Sequence, residues 1–300
     1  MSTAKRLFGI NALAAWFGYG VAEIANILHL VPSSEPYVAD SHMFGGSAAG
    51  LAGAIGRAFD SHGYFTTWSN LLVALTLTAL YLNPDRAGRL FSWLRNTALL
   101  MITMTMVLYH LLLSGSSSPE SWYAISNIFE HYLTPIITIL VWVAVGPRGR
   151  FTFGHTFSVF IIPITYLVYT LAHGAIASVY PYPFFDVIKY GYASVLTLMG
   201  AVIVGGYVVA LLFLGADRLL SVWNANRGEA QQSHAAGRNA RTARTLGFLG
   251  IVIPAIALVG IVFAAFAMGN DEEGAGQALV LTLAIAFVNS LALAIALGML

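Results

Sequence analysis

The stretch TALLMITMTMVLYHLLLS, Thr97 to Ser114, decides the fold class. Its only ionisable side chain apart from Tyr109 is His110, and as a helix rising 1.5 Å per residue it spans about 27 Å. That is close to the ~30 Å hydrocarbon core of a bilayer. Seven more stretches are comparably apolar, near residues 7–30, 64–82, 123–145, 156–178, 192–214, 246–269 and 278–299. Over all 300 residues, 58% are hydrophobic and 9% charged, whereas soluble domains run near 45–50% and about 25%. The pattern predicts an all-α polytopic membrane helix bundle with eight transmembrane helices. A six-helix core occupies 1–214, a basic cytoplasmic linker 215–245 and a C-terminal two-helix hairpin 246–300.

Charge distribution orients this bundle, because Lys and Arg concentrate on the cytoplasmic side of polytopic proteins. Twelve of the fourteen fall on one side of the predicted map: Lys5, Arg6, Arg86, Arg89, Arg95, Arg148, Arg150, Arg218, Arg227, Arg238, Arg241 and Arg244. Arg57 and Lys189 fall on the other, with most of the acidic residues. Both termini are therefore expected in the cytoplasm, with the first span retained as a helix. The linker, polar and basic, is expected to lie on anionic headgroups. The small-residue run GGSAAGLAGAIG, Gly45 to Gly56, reads as a surface loop in preference to a short interfacial helix.

Composition also excludes several chemistries. With no cysteine in the chain, there is no disulfide framework, thiolate metal site, iron–sulfur cluster or cysteine nucleophile. A formal charge of +1 lacks the clustered basic excess that a nucleic-acid partner requires.

Hydrogen-bonding side chains inside spans are costly and mark function. They are Glu23 in the first span, Thr66, Thr67, Ser69 and Asn70 in the second, His110 in the third, Asn127, Glu130 and His131 in the fourth, and His173 in the fifth. On the predicted topology most of them sit in the outer half of the bilayer, where one cavity facing the non-cytoplasmic side would collect them. Thr66 and Asn70 share one helix face by i, i+4 spacing, as do Asn127 and His131. Pro135, four residues after His131, leaves a backbone carbonyl without its usual helical donor. A lone histidine near a helix end, such as His29, His42, His62 or His155, is ordinarily an interfacial side chain. A transmembrane threonine ordinarily bonds back to a preceding carbonyl.

Three strings carry a resemblance: YFTTWSNLL (Tyr64 to Leu72), SNIFEHYLTP (Ser126 to Pro135) and YPYPFFD (Tyr180 to Asp186). Together they resemble the superfamily of the androgen-induced and androgen-dependent multipass hydrolases and rolling stone, with this chain as a bacterial-looking branch. The resemblance covers roughly residues 1–214 and implies a six-helix membrane protein. It further implies a threonine hydrolase of fatty acid esters of hydroxy fatty acids. In that family a threonine opens a helix after an aromatic or aliphatic pair, and a histidine follows two helices later, shortly before a proline. Tyr64, Phe65 and Thr66 match the first element, and His131 with Pro135 matches the second. Two departures stand out: Thr66 is followed by a second threonine, Thr67, and the interval from His131 to Pro135 is one residue shorter.

The expected chemistry is then acyl transfer, with Thr66 or Thr67 as nucleophile and His131 as general base. Asn70 and Asn127 are candidates to stabilise an oxyanion or fix the imidazole, and Glu130 or Asp186 to orient His131. Tyr180, Tyr182, Phe184 and Phe185 are expected as an interfacial aromatic belt at the cavity mouth. His110, His173 and Glu23 are further pocket candidates. No cofactor is expected, and the expected partners are membrane lipids and a lipid-like ester in a bacterial plasma membrane. Three alternatives remain: noncatalytic lipid or ligand binding, a metal or haem site built from His110, His131 and His173, and transport. Transport fits least, because the inner halves of the central spans lack polar residues.

Overall fold

The computed structural model describes residues 2–28, 42–48, 51–115 and 121–232. The predicted spans at 246–269 and 278–299, the region 233–245 and His29 lie outside the described residues. The structure is helical, with no strand among the described residues beyond a single parallel bridge between Met43 and Tyr180.

Among the described residues, six helices are long and apolar enough to cross a membrane: Thr3–Ile27, Phe65–Leu82, Arg89–Leu112, Trp122–Val145, His155–Ala177 and Val187–Trp223. By element, α1 is Thr3–Ile27, α2 Ala54–His62, α3 Phe65–Leu82 and α4 Arg89–Leu112. The fourth span comprises α5 (Ser121–Ile128), a π-helical turn (Phe129–Leu133) and α6 (Thr134–Val145). The fifth comprises α7 (His155–Ser158) and α8 (Ile161–Ala177), and the last is α9 (Val187–Gln232). Helix ends differ from the hydropathy-based limits where charges occur. α4 begins at Arg89 and not near 97, because Arg89 is exposed while the buried Arg95 guanidinium donates to the Pro147 carbonyl (3.4 Å), so the helix accommodates both charges. α9 likewise continues far beyond 214, into the polar sequence expected to start the linker.

The chain divides into two units, residues 1–147 with 152–210, and residues 148–151 with 211–300. In the first, one core joins Phe8, Ala12 and Ala15 of α1 to Val73, Ala74, Leu77 and Leu80 of α3, Ala98 and Ile102 of α4, and Val141 of α6. The alanines let backbones approach closely, which is how helices associate where lipid supplies no hydrophobic driving force. A second core gathers Tyr166, Tyr180, Tyr182, Phe185, Val195 and Met199. In the second unit, buried Asp217 accepts the Phe151 N–H (2.8 Å) and attracts the Arg148 guanidinium.

The Gly45–Gly56 run is a loop only in part. It leads through a 3-10 turn (Leu51–Gly53) into α2, whose polar Arg57 and Ser61 are buried while Ile55 and Phe59 are 74% exposed. That inverted pattern suits a helix lying at an apolar interface. Arg57, one of the two cations on the unexpected side of the charge map, is structural. Its guanidinium donates to the terminal carbonyls of α1, Asn26 (2.9 Å) and Ile27 (2.8 Å), and to that of Ala48. These are carbonyls a helix end leaves without intrahelical donors.

Candidate active site

The α3 N-terminus sets Thr66 in the first helical turn, where backbone N–H groups have no intrahelical acceptor. Across from it the fourth span widens. Pro135 has no N–H and blocks regular winding, and the Thr134 N–H reaches back five residues to the Phe129 carbonyl. The Glu130 carbonyl, which Thr134 would bond in an α-helix, is left free and accepts from Asn70 Nδ2 (3.2 Å). Asn70 also donates to the Thr66 carbonyl (3.0 Å). One amide group thus ties the first turn of α3 to the turn that carries His131.

His131 Nε2 lies 3.1 Å from Thr66 Oγ1. Its Nδ1 is 3.3 Å from the Asn127 carbonyl, and a carbonyl can only accept. The imidazole therefore carries its proton on Nδ1 and presents Nε2 as a lone pair to the threonine hydroxyl. Tyr109 of α4 stacks on the ring at 3.9 Å between centroids, with 27° between planes. Below the pair, Ser69 of α3 meets Thr105 of α4 at 2.7 Å.

The neighbouring threonine is committed elsewhere. Thr67 is buried and donates its hydroxyl to the Ser61 carbonyl (2.8 Å). One residue is about 100° of helix rotation, so only Thr66 of the two faces His131. Asn127 contributes its carbonyl to the imidazole, and Asn70 donates to backbone carbonyls. Neither Glu130 nor Asp186 bonds His131. Asp186 accepts from the Ile188 and Lys189 N–H groups (both 3.0 Å) at the start of α9 and meets His42 at 3.1 Å. Glu23, buried apart from this site, accepts the Ser61 hydroxyl and lies 3.9 Å from Nδ1 of the exposed His62. His173 packs against the rings of Phe44 and Tyr169, and His110 is absent from the cavity wall. Among the described residues no three His, Asp or Glu side chains converge as a metal site, so His110, His131 and His173 do not form one ligand set.

The expected aromatic belt is not one. Tyr180, Tyr182 and Phe185 are buried. Tyr180 is held by exchange of backbone hydrogen bonds with His42 and Phe44 (2.8 and 3.1 Å) and lies flat on Gly174, where a Cβ would come within 1.9 Å of its ring. This anchors Tyr182, whose hydroxyl is 3.3 Å from both the Thr66 N and Oγ1. Tyr182 is the site residue that composition and spacing did not single out. It lies in a connection without helical periodicity, and its aromatic neighbours suggest an interface.

Thr66, His131 and Tyr182 open into a pocket whose empty space, counted out to open solvent, is about 870 Å³. Its wall is otherwise almost wholly apolar, including α4 residues from Leu100 to Leu112 and, from later elements, Phe160 and Gly206. From Tyr109 to Leu100 is nine residues, about 13 Å of helix. Comparison with protein-family models, curated proteins and solved structures finds no match to this chain.

Proposed function

We propose that the chain is a membrane-embedded ester hydrolase in which Thr66 is the nucleophile and His131 its general base. One observation carries this reading: Nε2 of a histidine whose Nδ1–H is committed to a carbonyl sits 3.1 Å from a threonine hydroxyl at the head of an apolar cavity. An unassisted threonine hydroxyl is a poor nucleophile, and a fixed neutral imidazole removes its proton as it attacks. The Asn127 carbonyl takes the orienting place that a carboxylate holds in Ser-His-Asp triads.

The cavity favours a lipid ester, with the acyl chain along α4 and the carbonyl at Thr66. This agrees with the family resemblance and its fatty acid ester substrates, and with entry from a membrane. On the charge map, the site opens toward the non-cytoplasmic leaflet of a bacterial plasma membrane. A noncatalytic lipid carrier would share the apolar wall but would gain nothing from a hydroxyl held against an imidazole lone pair.

The test is covalent labelling of detergent-purified protein by a fluorophosphonate probe. Wild type is expected to label, while Thr66→Ala and His131→Ala lose labelling with their thermal midpoints retained. Equal labelling of all three proteins, or none of wild type, defeats the reading.

A further inference from the structure

We propose that Tyr182 is a catalytic residue of this site, its hydroxyl joining the Thr66 backbone N–H to form the oxyanion hole for an ester carbonyl attacked by Thr66. The inference rests on the hydrolase reading of Thr66 and His131.

The direction of the hydrogen bonds leads to it. The Asn127 carbonyl fixes the proton of His131 on Nδ1, so Nε2 accepts the Thr66 hydroxyl hydrogen. With that hydrogen committed, the 3.3 Å contact between Thr66 Oγ1 and Tyr182 Oη has Tyr182 as its donor. The tyrosine oxygen meanwhile accepts the Thr66 N–H at 3.3 Å. Two donors, an O–H and a first-turn N–H, therefore lie beside the nucleophilic oxygen.

Attack places the carbonyl oxygen about one substituent's distance from Oγ1, where donors at 2.7–3.1 Å stabilise developing charge. The electrons and protons balance with water as the one co-reactant. The Oγ1–carbon bond forms as the hydroxyl proton passes to Nε2. The carbonyl π pair moves onto oxygen and accepts hydrogen bonds from Tyr182 Oη and Thr66 N. When the tetrahedral species collapses, the ester carbon–oxygen bond breaks, and the leaving alcohol takes the proton from Nε2. Water repeats the sequence on the acyl-threonine, releasing the acid. Tyr182 keeps its proton throughout.

Its surroundings suit a fixed neutral donor. Burial pushes the Tyr182 phenol up to about 12, so the proton stays in place at neutral pH. The ring stacks on Phe184 with 8° between planes and meets Tyr64 edge-on. The ring and the α3 backbone are already in place, so the O–H and N–H need only redirect their hydrogen bonds from Thr66 Oγ1 and Tyr182 Oη to the developing charge. A tyrosine that only capped α3 would accept the Thr66 N–H and need no contact with the nucleophile.

The experiment compares wild type, Tyr182→Phe and Thr66→Ala on the p-nitrophenyl ester of decanoic acid, with inhibition by a decyl trifluoromethyl ketone and by the corresponding alcohol. The ketone forms a tetrahedral oxyanion on the threonine, whereas the alcohol does not. Tyr182→Phe is expected to lower kcat about 10²–10³-fold with KM little changed, as removal of one oxyanion donor does. It should weaken the ketone by a similar factor and leave the alcohol unaffected. A fluorotyrosine with a more acidic phenol, installed at position 182, keeps the ring and should restore turnover; it also serves if the phenylalanine variant folds poorly. Wild-type kcat and ketone affinity in Tyr182→Phe, beside an inactive Thr66→Ala, would overturn the role of Tyr182 and leave the hydrolase reading standing. Equal turnover by wild type and Thr66→Ala would overturn that reading, and this proposal with it.

Discussion

Glu130 and His131 are adjacent in sequence and face different helices. His131 turns its imidazole to Thr66, while the Glu130 side chain packs beside Gly18 of α1, where a Cβ would meet its Cγ at 3.3 Å. The π turn that contains both residues sets this divergence, and Asn70 holds that turn in place.

Asn70 is expected to act by positioning. Asn70→Asp keeps the shape but cannot donate to the Thr66 and Glu130 carbonyls it now bonds. A shift of about 1 Å between reacting groups can cost ~10²-fold. We expect kcat to fall by about that factor with little change in KM, measured by steady-state ester hydrolysis. Unchanged kcat would show that the contact does not align the pair.

The two consecutive threonines should separate cleanly. Thr66→Val removes the hydroxyl opposite His131 and should abolish fluorophosphonate labelling. Thr67→Val removes only a hydrogen bond to the Ser61 carbonyl, costing about 1 kcal/mol of stability, and should leave labelling intact. A reversed result would move the nucleophile to Thr67.

Bulk on the cavity wall beside Phe160 and Met104 should set acyl length. At Gly206, which lines the cavity, a Cβ would lie 3.1 Å from the Phe160 ring and 3.8 Å from Met104, so Gly206→Leu takes up space there. Each methylene that no longer fits forfeits about 0.8 kcal/mol, roughly fourfold in kcat/KM. Assayed with esters of graded chain length, the variant should shift its optimum to shorter acyl groups. An unmoved optimum would place the acyl chain elsewhere.

Gly174 should tolerate no side chain. A Cβ there falls 1.9 Å from the Tyr180 ring, so Gly174→Ala must displace Tyr180 and the backbone leading to Tyr182. Overpacking of this kind costs about 1–3 kcal/mol. A lowered thermal midpoint together with reduced turnover is expected, and Tyr180→Ala should relieve the clash in the double variant.

Alkaline pH should destabilise the fold through Tyr182. Its phenol titrates near 12 in the folded chain, against 10.0 for an ordinary tyrosine, because burial disfavours the anion. The unfolded chain therefore loses this proton first, and stability present below pH 10 is lost as pH rises toward 12. Denaturant midpoints measured across that range should fall more steeply for wild type than for Tyr182→Phe. Parallel curves would mean that the phenol is not buried.

Much of the architecture is encoded locally. Hydropathy over some twenty residues marks each described span, because a bilayer demands a continuous apolar surface and internally satisfied backbone. The i, i+4 spacing of Thr66 with Asn70 and of Asn127 with His131 sets two polar stripes, and Pro135 signals an irregular turn beside one of them. These features depend only on neighbours along one helix, so they can be read without knowing the partners.

What decided the site lies between helices. Which threonine faces His131 depends on how α3 is rotated against the fourth span, and the five-residue reach from Thr134 to Phe129 alters that register. The donor beside Thr66 comes from a connection 116 residues away in sequence, where no periodicity points to a face. The orienting group for the imidazole is a backbone carbonyl, which every residue possesses and no sequence pattern marks. α2 escaped a hydropathy reading because its buried Arg57 is satisfied by the carbonyls ending α1 and its buried Ser61 by the Glu23 carboxylate, pairings that exist only once those two segments have met. Local periodicity fixed where helices run, and only packing chose which of their side chains meet.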